Sequence, residues 1–576
     1  MLYCSIQGTI KPEIAGNGTK GGIKMKDYGM GWIIGKTKGS RRYFLLLSVA
    51  GVAIGAVNME MTTVLMNLVN IAAGDLKGSL WENVLWAIFF LMLEGVMGLV
   101  TMVSYRMAVS KTGKGLRMEL GERLFYAPLL KMQERHGGEY MTCLTTDVEH
   151  VADCVPSILR KTVANGLTTL LALIYLFILN WKMACILICV IPLLIFCVAV
   201  FSPIVQKMSK QDKENEEKIR VSLQEMLDKI LILKTSEMGS VLKQRNHQLL
   251  DQKIESAKRL GMAEGGSSFL NNVLGTSMMM IAMAGGAYFV IQGELEVGAL
   301  IGIVQLANYV VWPFTALGDV ISRTNQSIVS ARRLGTIYEL PQEQAEQGTD
   351  PEKEKKQIRG VEVRGVSFSY GEVPVLQSVN ADFSLGKVSA LIGESGSGKS
   401  TLLKIIAGLY TPKNGAVCLR LGKEEKNVQV TGCGYCAFVP ADQLIFRDTV
   451  AGNICMAQKR QEERMVRCAR MANIDQFIDT LENRYDTWIG EGKQAVSSGQ
   501  MQRIAIARAL YQGKKVLLFD EPTANLDTES IDIFIDTLRK ISEERVCIVA
   551  THDERIRQIC QTVYEVKDGK LEGGLS

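Results

Sequence analysis

The sequence predicts an all-α polytopic membrane domain of six transmembrane helices with long cytosolic extensions, followed by an α/β P-loop domain. Three observations predict it. Six long apolar runs lie before residue 320. A charged, polar stretch at 341–357 then interrupts the chain. After it, short β-type runs alternate with amphipathic helical stretches, and a Gly-rich loop follows an apolar strand. Composition agrees. Of 576 residues, 47% are hydrophobic and 22% charged, and the mean hydropathy is +0.12. Such a mixture excludes a disordered, collagen-like or coiled-coil chain. The net charge of +5 is too small in a chain this long to argue for nucleic acid as a partner.

A bilayer span needs about 20 mainly apolar residues. Six runs meet this: 43–72, 81–109, 162–179, 183–205, 268–291 and 297–318. The third is short unless its helix begins nearer Pro156. Asn180-Trp181 and Gln292–Glu296 separate neighbouring spans by so little that each pair reads as a tight hairpin.

Lys and Arg near span ends set orientation. Residues 1–42 carry eight, segment 110–161 carries eight and segment 206–267 carries twelve. The other connections hold only Lys77 and Lys182. The reading is therefore a multi-pass protein of the cell (plasma) membrane, with a cytosolic N-terminus, two cytosolic extensions and a cytosolic C-terminal domain. Residues 1–40 lack the apolar core and cleavage site of a signal peptide, and Met25 is an alternative start. The two inner segments are rich in Lys, Glu, Leu and Met, which favour helix. They read as continuations of the spans into the cytosol. The domains are then 1–42 (basic segment), 43–340 (membrane domain), 341–357 (linker) and 358–576 (P-loop domain).

Two acids, Glu60 and Glu94, fall inside spans. Ionisable groups there are costly. They suit either a polar cavity or an outer position where the carboxylate reaches water. The Met-rich run Met278–Met283 suits helix packing or an adaptable cavity wall. Thirteen cysteines are scattered, several inside apolar runs, which fits a reducing compartment better than a disulfide framework. Cys433 and Cys436 form one CxxC, without further ligands at zinc spacing.

The strongest motif is Gly393-Glu394-Ser395-Gly396-Ser397-Gly398-Lys399-Ser400, between the apolar strand Val388–Ile392 and the helical run Thr401–Leu409. Glycines let backbone N–H groups curl around phosphate oxygens. Lys399 offers a point charge to the β- and γ-phosphates, and the Ser400 hydroxyl can ligate Mg²⁺. A second apolar strand, Val516–Phe519, ends in Asp520-Glu521. Asp520 is placed to hold Mg²⁺ through water, and Glu521 to act as general base. A third strand, Val546–Ala550, leads to His552, placed for a γ-phosphate contact.

These residues resemble the nucleotide-binding cassette of ABC transporters. The decisive stretch is Val496-Ser497-Ser498-Gly499-Gln500 with its trailing helix, which looks like the family signature. Gly393–Ser400 then matches the Walker A loop and Val516–Asp520 the Walker B strand. Asp520–Asp527 resembles Walker B running into the D-loop, and His552 matches the switch histidine. Tyr370 matches the aromatic that stacks on adenine. The first half is similar to an exporter-type half-transporter. Gly138–Val148 and Leu233–Glu237 look like its two inner loops, whose coupling helices near 132–142 and 234–243 would touch the cassettes.

The resemblance implies a dimer that binds ATP with Mg²⁺ between two cassettes. The implied nucleotide-binding residues are Tyr370, Gly393 to Ser400, Thr401, Ser497, Ser498, Gly499, Gln500 and Asp527. Ser400 and Asp520 are the implied metal ligands. Lys399, Glu521 and His552 are the implied catalytic groups. The expected activity is ATP-driven export of a peptide, a lipid or an amphipathic small molecule. Two departures stand out. Ala441 occupies the position where the family usually has Gln, with Gln443 two residues late, and Ser498 stands where Gly is commonest. Alanine can neither ligate nor orient. An ATP-gated channel or a regulatory, weakly hydrolysing subunit is therefore the alternative reading. The partner half-transporter is either a second copy or a different chain.

Overall fold

The computed structural model describes residues 28–74, 78–135, 137–236, 239–343, 358–422, 426–430, 432–442, 445–456, 458–490, 496–524 and 526–573. Met25, Gln443 and most of the 341–357 linker lie outside them. Two compact units emerge. One is drawn from Met1–Phe125 and His136–Leu340, the other from Tyr126–Arg135 and Pro341–Ser576.

The first unit is all helical. A short helix α1 (Met30–Lys36) precedes α2 (Arg41–Ala73) and α3 (Leu80–Phe125). The short α4 (Leu129–Gln133) groups with the second unit. Then come α5 (Gly137–Thr142), α6 (Val148–Ile158), α7 (Ala164–Leu179), α8 (Trp181–Asp228), α9 (Ile230–Thr235), α10 (Gly239–Ile291) and α11 (Val297–Tyr338). Wide π-helical turns at Cys143–Asp147 and Leu159–Val163 join α5, α6 and α7 into one run. The third span thus reaches back through Pro156 without ending. Among the described residues four helical stretches are long and apolar enough to cross a bilayer. The described apolar parts of α8 and α11 are the shorter Trp181–Leu193 and Val297–Val311.

Local chemistry explains the hairpins. Asn180, in extended conformation, caps α8 by accepting from Met183 N. Gly293 takes a left-handed φ of +73° in the turn before α11. Close approach of α11 to α2 depends on two glycines one turn apart. A Cβ on Gly298 would lie 2.2 Å from Met66 O, and one on Gly302 2.4 Å from Met66 Sδ. Asn70 fastens the same spot, donating to Glu296 Oε2 (2.6 Å) and accepting from Gly298 N (2.5 Å).

The polar extensions are real helices. At 53 residues, α10 is on the order of 80 Å long at 1.5 Å per residue. It is tied to α8 by Lys253, which meets Asp212 at 2.7 Å and Glu216 at 2.6 Å. The buried Asp147 accepts from Ser330 Oγ and Arg333, holding the π-helical turn to α11. Glu60 is exposed and Glu94 partly so, and neither has an ion pair or hydrogen bond among the described residues. Met278 is buried against Ala172 and Leu176, whereas Met279, Met280 and Met283 face outward.

The second unit holds two main sheets and a two-stranded ribbon of β7 (Asp448–Thr449) and β8 (Trp488–Ile489). An antiparallel sheet orders β2 (Val373–Ser384), β1 (Ile358–Tyr370), β4 (Asn414–Leu421) and β5 (Lys426–Gln429). A six-stranded sheet orders β12 (Lys570–Gly573), β11 (Thr562–Lys567), β3 (Val388–Ile392), β10 (Val546–Ala550), β9 (Val516–Asp520) and β6 (Cys436–Val439). Its central strands are parallel, and β9 and β10 are buried throughout. This is why they read as continuous apolar runs rather than alternating ones. Leu129 and Leu130 of α4 pack on the core of this unit, and Tyr410 OH donates to Gln133 Oε1 at 2.7 Å. In the first expected stretch, 132–142, lie the end of α4 and all of α5; of the second, 234–243, α9 covers only the start, α10 begins at Gly239, and residues 237 and 238 lie outside the described ones.

Candidate active site

Register brings the motifs together. In the parallel sheet Leu391 pairs with Ala550, and Ala550 with Asp520. Hydrogen bonds extend the row past the strand ends: Thr551 N donates to Leu391 O (3.1 Å) and Glu521 N to Ala550 O (2.9 Å). The phosphate-loop sequence, Asp520-Glu521 and His552 therefore emerge side by side at one sheet edge, where ligands of open α/β sheets bind.

Lys399 opens the helix Lys399–Ile406 and is 5% exposed. Its ammonium donates to Gly393 O (2.8 Å) and Glu394 O (2.9 Å) and lies 3.0 Å from His552 Nε2. Burial pulls its pKa below the ordinary lysine value, while Glu521 and Asp520 pull the other way. His552 Nε2 also lies 3.0 Å from Glu521 Oε1. One ring nitrogen cannot accept from Lys399 and donate to Glu521 at once. The two contacts are alternatives, set by where the imidazole proton sits. Glu521 has φ of +46°, a left-handed backbone for a non-glycine residue, and such strain concentrates at functional sites.

Ser400 Oγ donates to Asp520 Oδ1 at 2.7 Å. A hydroxyl beside a carboxylate is an oxygen pair suited to Mg²⁺, which keeps several waters and takes further oxygens from substrate phosphates. In the loop, Gly393, Gly396 and Gly398 all have positive φ. Gly393 is also sterically required, because a Cβ there would lie 2.4 Å from Val566 O. Among the described residues Ser397 Oγ is buried without a hydrogen-bond partner, a cost that an anion's oxygens would relieve. Glu394, Ser395 and Gly396 are exposed at the loop tip.

Tyr370 OH shares a hydrogen bond with Thr401 Oγ1 at 3.1 Å. Its ring stands edge-on to Phe368 (5.2 Å) and Tyr410 (6.1 Å), which stack on each other at 5.5 Å. Burial and the Tyr370 hydrogen bond push the Tyr410 hydroxyl up to about 12. Phe368 and Tyr410 were not among the expected site residues. Phe368 was discoverable from its i,i+2 spacing to Tyr370 on one strand. Tyr410 was not, because only the fold brings it there.

Ser497 caps the helix Ser498–Tyr511 through a reciprocal pair: it accepts from Gln500 N, and its own N–H donates to Gln500 Oε1 at 2.9 Å. Gly499 is buried against Ser530 and Leu526. Asp527 caps the next helix, accepting from Ser530 N at 3.2 Å, and these bonds hold its carboxyl below the usual range. Among the described residues no hydrogen bond joins Ser497, Gln500 or Asp527 to Lys399 or Ser400. Ala441 and Ser498 face Glu521 across a cavity of about 170 Å³. Gln502 Nε2 donates to Pro522 O beneath it, tying the signature helix to the loop after Asp520. Burial pushes the Cys436 thiol of the CxxC up to about 12, leaving it protonated.

Comparison with known families decides the assignment. The profile described as the ABC transporter transmembrane region matches residues 44–314, and the ABC transporter profile matches 376–524. The chain belongs to the ABC transporters. It is an exporter-type half-transporter, a multi-pass membrane protein with an ATP-hydrolysing cassette. Among similar proteins, the ATP-dependent lipid A-core flippase of Photobacterium profundum is 26% identical, over 91% of each chain. That of Vibrio parahaemolyticus serotype O3:K6 is 25% identical, over 92% of this chain and 91% of the relative. That of Yersinia pestis bv. Antiqua (strain Antiqua) is 26% identical, over 91% of each.

Proposed function

We propose that this ABC transporter exports an amphipathic lipid of the lipid A-core class, working as a dimer of two copies. The observation that carries the hydrolytic part is the placement of His552 Nε2 at 3.0 Å from both the Lys399 ammonium and Glu521 Oε1, beside the phosphate loop. The substrate class rests on the relatives, whose names specify lipid A-core and whose match spans both units. The membrane unit suits an amphipathic cargo. A cavity of about 1000 Å³ between α8, α10 and α11 is lined by Lys210, Lys213, Glu214, Glu217 and Asn271, while the spans present apolar side chains outward.

In this reading Tyr370 stacks on the adenine and Gly393–Thr401 wrap the phosphates. Phosphate oxygens compete with Gly393 O and Glu394 O for the Lys399 ammonium and supply the missing partner of Ser397 Oγ. Ser400 and Asp520 hold Mg²⁺, which when bound supplies positive charge to the phosphate oxygens. Glu521 polarises the attacking water, and His552 contacts the γ-phosphate. Ser497, Ser498, Gly499 and Gln500, with Asp527, face the nucleotide of the partner cassette. ATP closes the pair because it binds the closed state better, and hydrolysis resets it. The cassettes and the N-terminus lie in the cytosol. Ala441 removes one water-orienting side chain without removing the base.

Transport tests the reading. Inside-out vesicles containing the chain should move a fluorescent lipid A-core analogue to the lumen leaflet with ATP and not with ADP. Movement of a labelled peptide but not of the lipid would overturn the substrate class.

A further inference from the structure

The membrane unit holds a second charged cavity, apart from the one between α8, α10 and α11. A cavity of about 230 Å³ lies between α3, the α6–α7 run and α11. Among the described residues its lining sets Arg106, Arg160, Lys161 and Arg323 against a single carboxylate, Asp153. That carboxylate is already engaged. Tyr105 OH donates to Asp153 Oδ1, and Arg323 Nη1 lies 3.9 Å from Oδ2. The Arg160 guanidinium packs over the Tyr105 ring at 4.4 Å, and Arg106 lies 5.9 Å from the same ring. The wide turn Leu159–Val163 brings the consecutive Arg160 and Lys161 to one cavity. Such turns are frequent at functional sites.

Position along the helices sets the depth. Arg106 lies in the last turn of the 81–109 apolar run, Arg160 and Lys161 directly precede 162–179, and Arg323 follows 297–318 by five residues. All four fall where apolar runs give way to polar extensions, the level of lipid headgroups. Snorkelling anchors would explain one such cation per helix pointing its own way. They do not explain four from three helices converging on one cavity. A water molecule occupies roughly 30 Å³ of liquid, so the cavity has room for a phosphate group. Basic pockets between transmembrane helices are suited to anionic headgroups.

We propose that this pocket binds a phosphate group at headgroup depth, carried by an anionic lipid or by a soluble phosphate. The inference needs no assumption about the exported cargo. The test uses the full chain in detergent and calorimetric titration with three probes: dioctanoyl phosphatidic acid, dioctanoyl phosphatidylcholine and inorganic phosphate. Saturable binding of phosphatidic acid is expected, with none of phosphatidylcholine. Arg160→Gln combined with Arg323→Gln should weaken it about tenfold or more. The charge-preserving pair, Arg160→Lys with Arg323→Lys, should stay within about threefold, and Lys114→Gln should leave it unchanged. Inorganic phosphate binding with the same loss in the Gln pair assigns the soluble source, and phosphatidic acid binding alone assigns the lipid source. The proposal is overturned if neither phosphate probe binds saturably, if the Gln pair binds like the parent, or if the Lys pair loses as much as the Gln pair.

Discussion

The two units solve opposite burial problems with similar residues. In the cassette, Leu518 and Phe519 are fully buried between covering layers. In the membrane unit, Leu85 and Leu99 are about two-thirds exposed, at 67% and 65%. Water drives the cassette's apolar side chains inward. Lipid gives no such drive between helices, so close approach there leans on small residues and buried polar bonds, beside an apolar cluster around Leu176, Met278 and Ile303. Gly298, Gly302 and Asn70 do in the membrane unit what Leu518 and Phe519 do in the cassette.

That contrast can be broken most forcefully at Leu518. Leu518→Ala should cost the cassette about 2–5 kcal/mol, whereas Leu99→Ala should cost the membrane unit under about 0.5 kcal/mol. Calorimetry of the chain in lipid discs reads both, and equal losses would refute the distinction. Next in size is Gly298→Ala. The added Cβ would strike Met66 O, and about 1–3 kcal/mol of overpacking cost should fall on the membrane transition alone. Below that comes Ser497→Ala. It removes the reciprocal helix cap and should lower cassette stability by about 1 kcal/mol without moving the membrane transition.

The contrast also governs how much of each unit is legible in the sequence. The cassette site is legible because its parts sit at strand ends with fixed spacing. Gly393–Ser400, Asp520 and His552 each follow a continuous apolar run, and parallel pairing of those runs aligns them. What escaped depends on tertiary approach: Tyr410 stacking on Phe368, the imidazole shared between Lys399 and Glu521, and Gln502 reaching Pro522. In the membrane unit the apolar runs and hairpins were legible from length and from Asn180 and Gly293. The wide turn at Leu159–Val163 was not, since nothing in Leu-Arg-Lys-Thr-Val distinguishes it from an ordinary helical turn. The cluster around Asp153 escaped for the same reason: its cations come from three separate helices.

We predict that this chain alone forms a working ATPase despite Ala441. ATP turnover of the purified chain in lipid discs, measured beside Glu521→Gln, tests it most directly. We predict steady turnover that the substitution lowers by about 10²–10⁴-fold with ATP binding retained. ATP binding without turnover in the parent chain would contradict the claim and point to a missing partner chain or to a gate worked by binding alone.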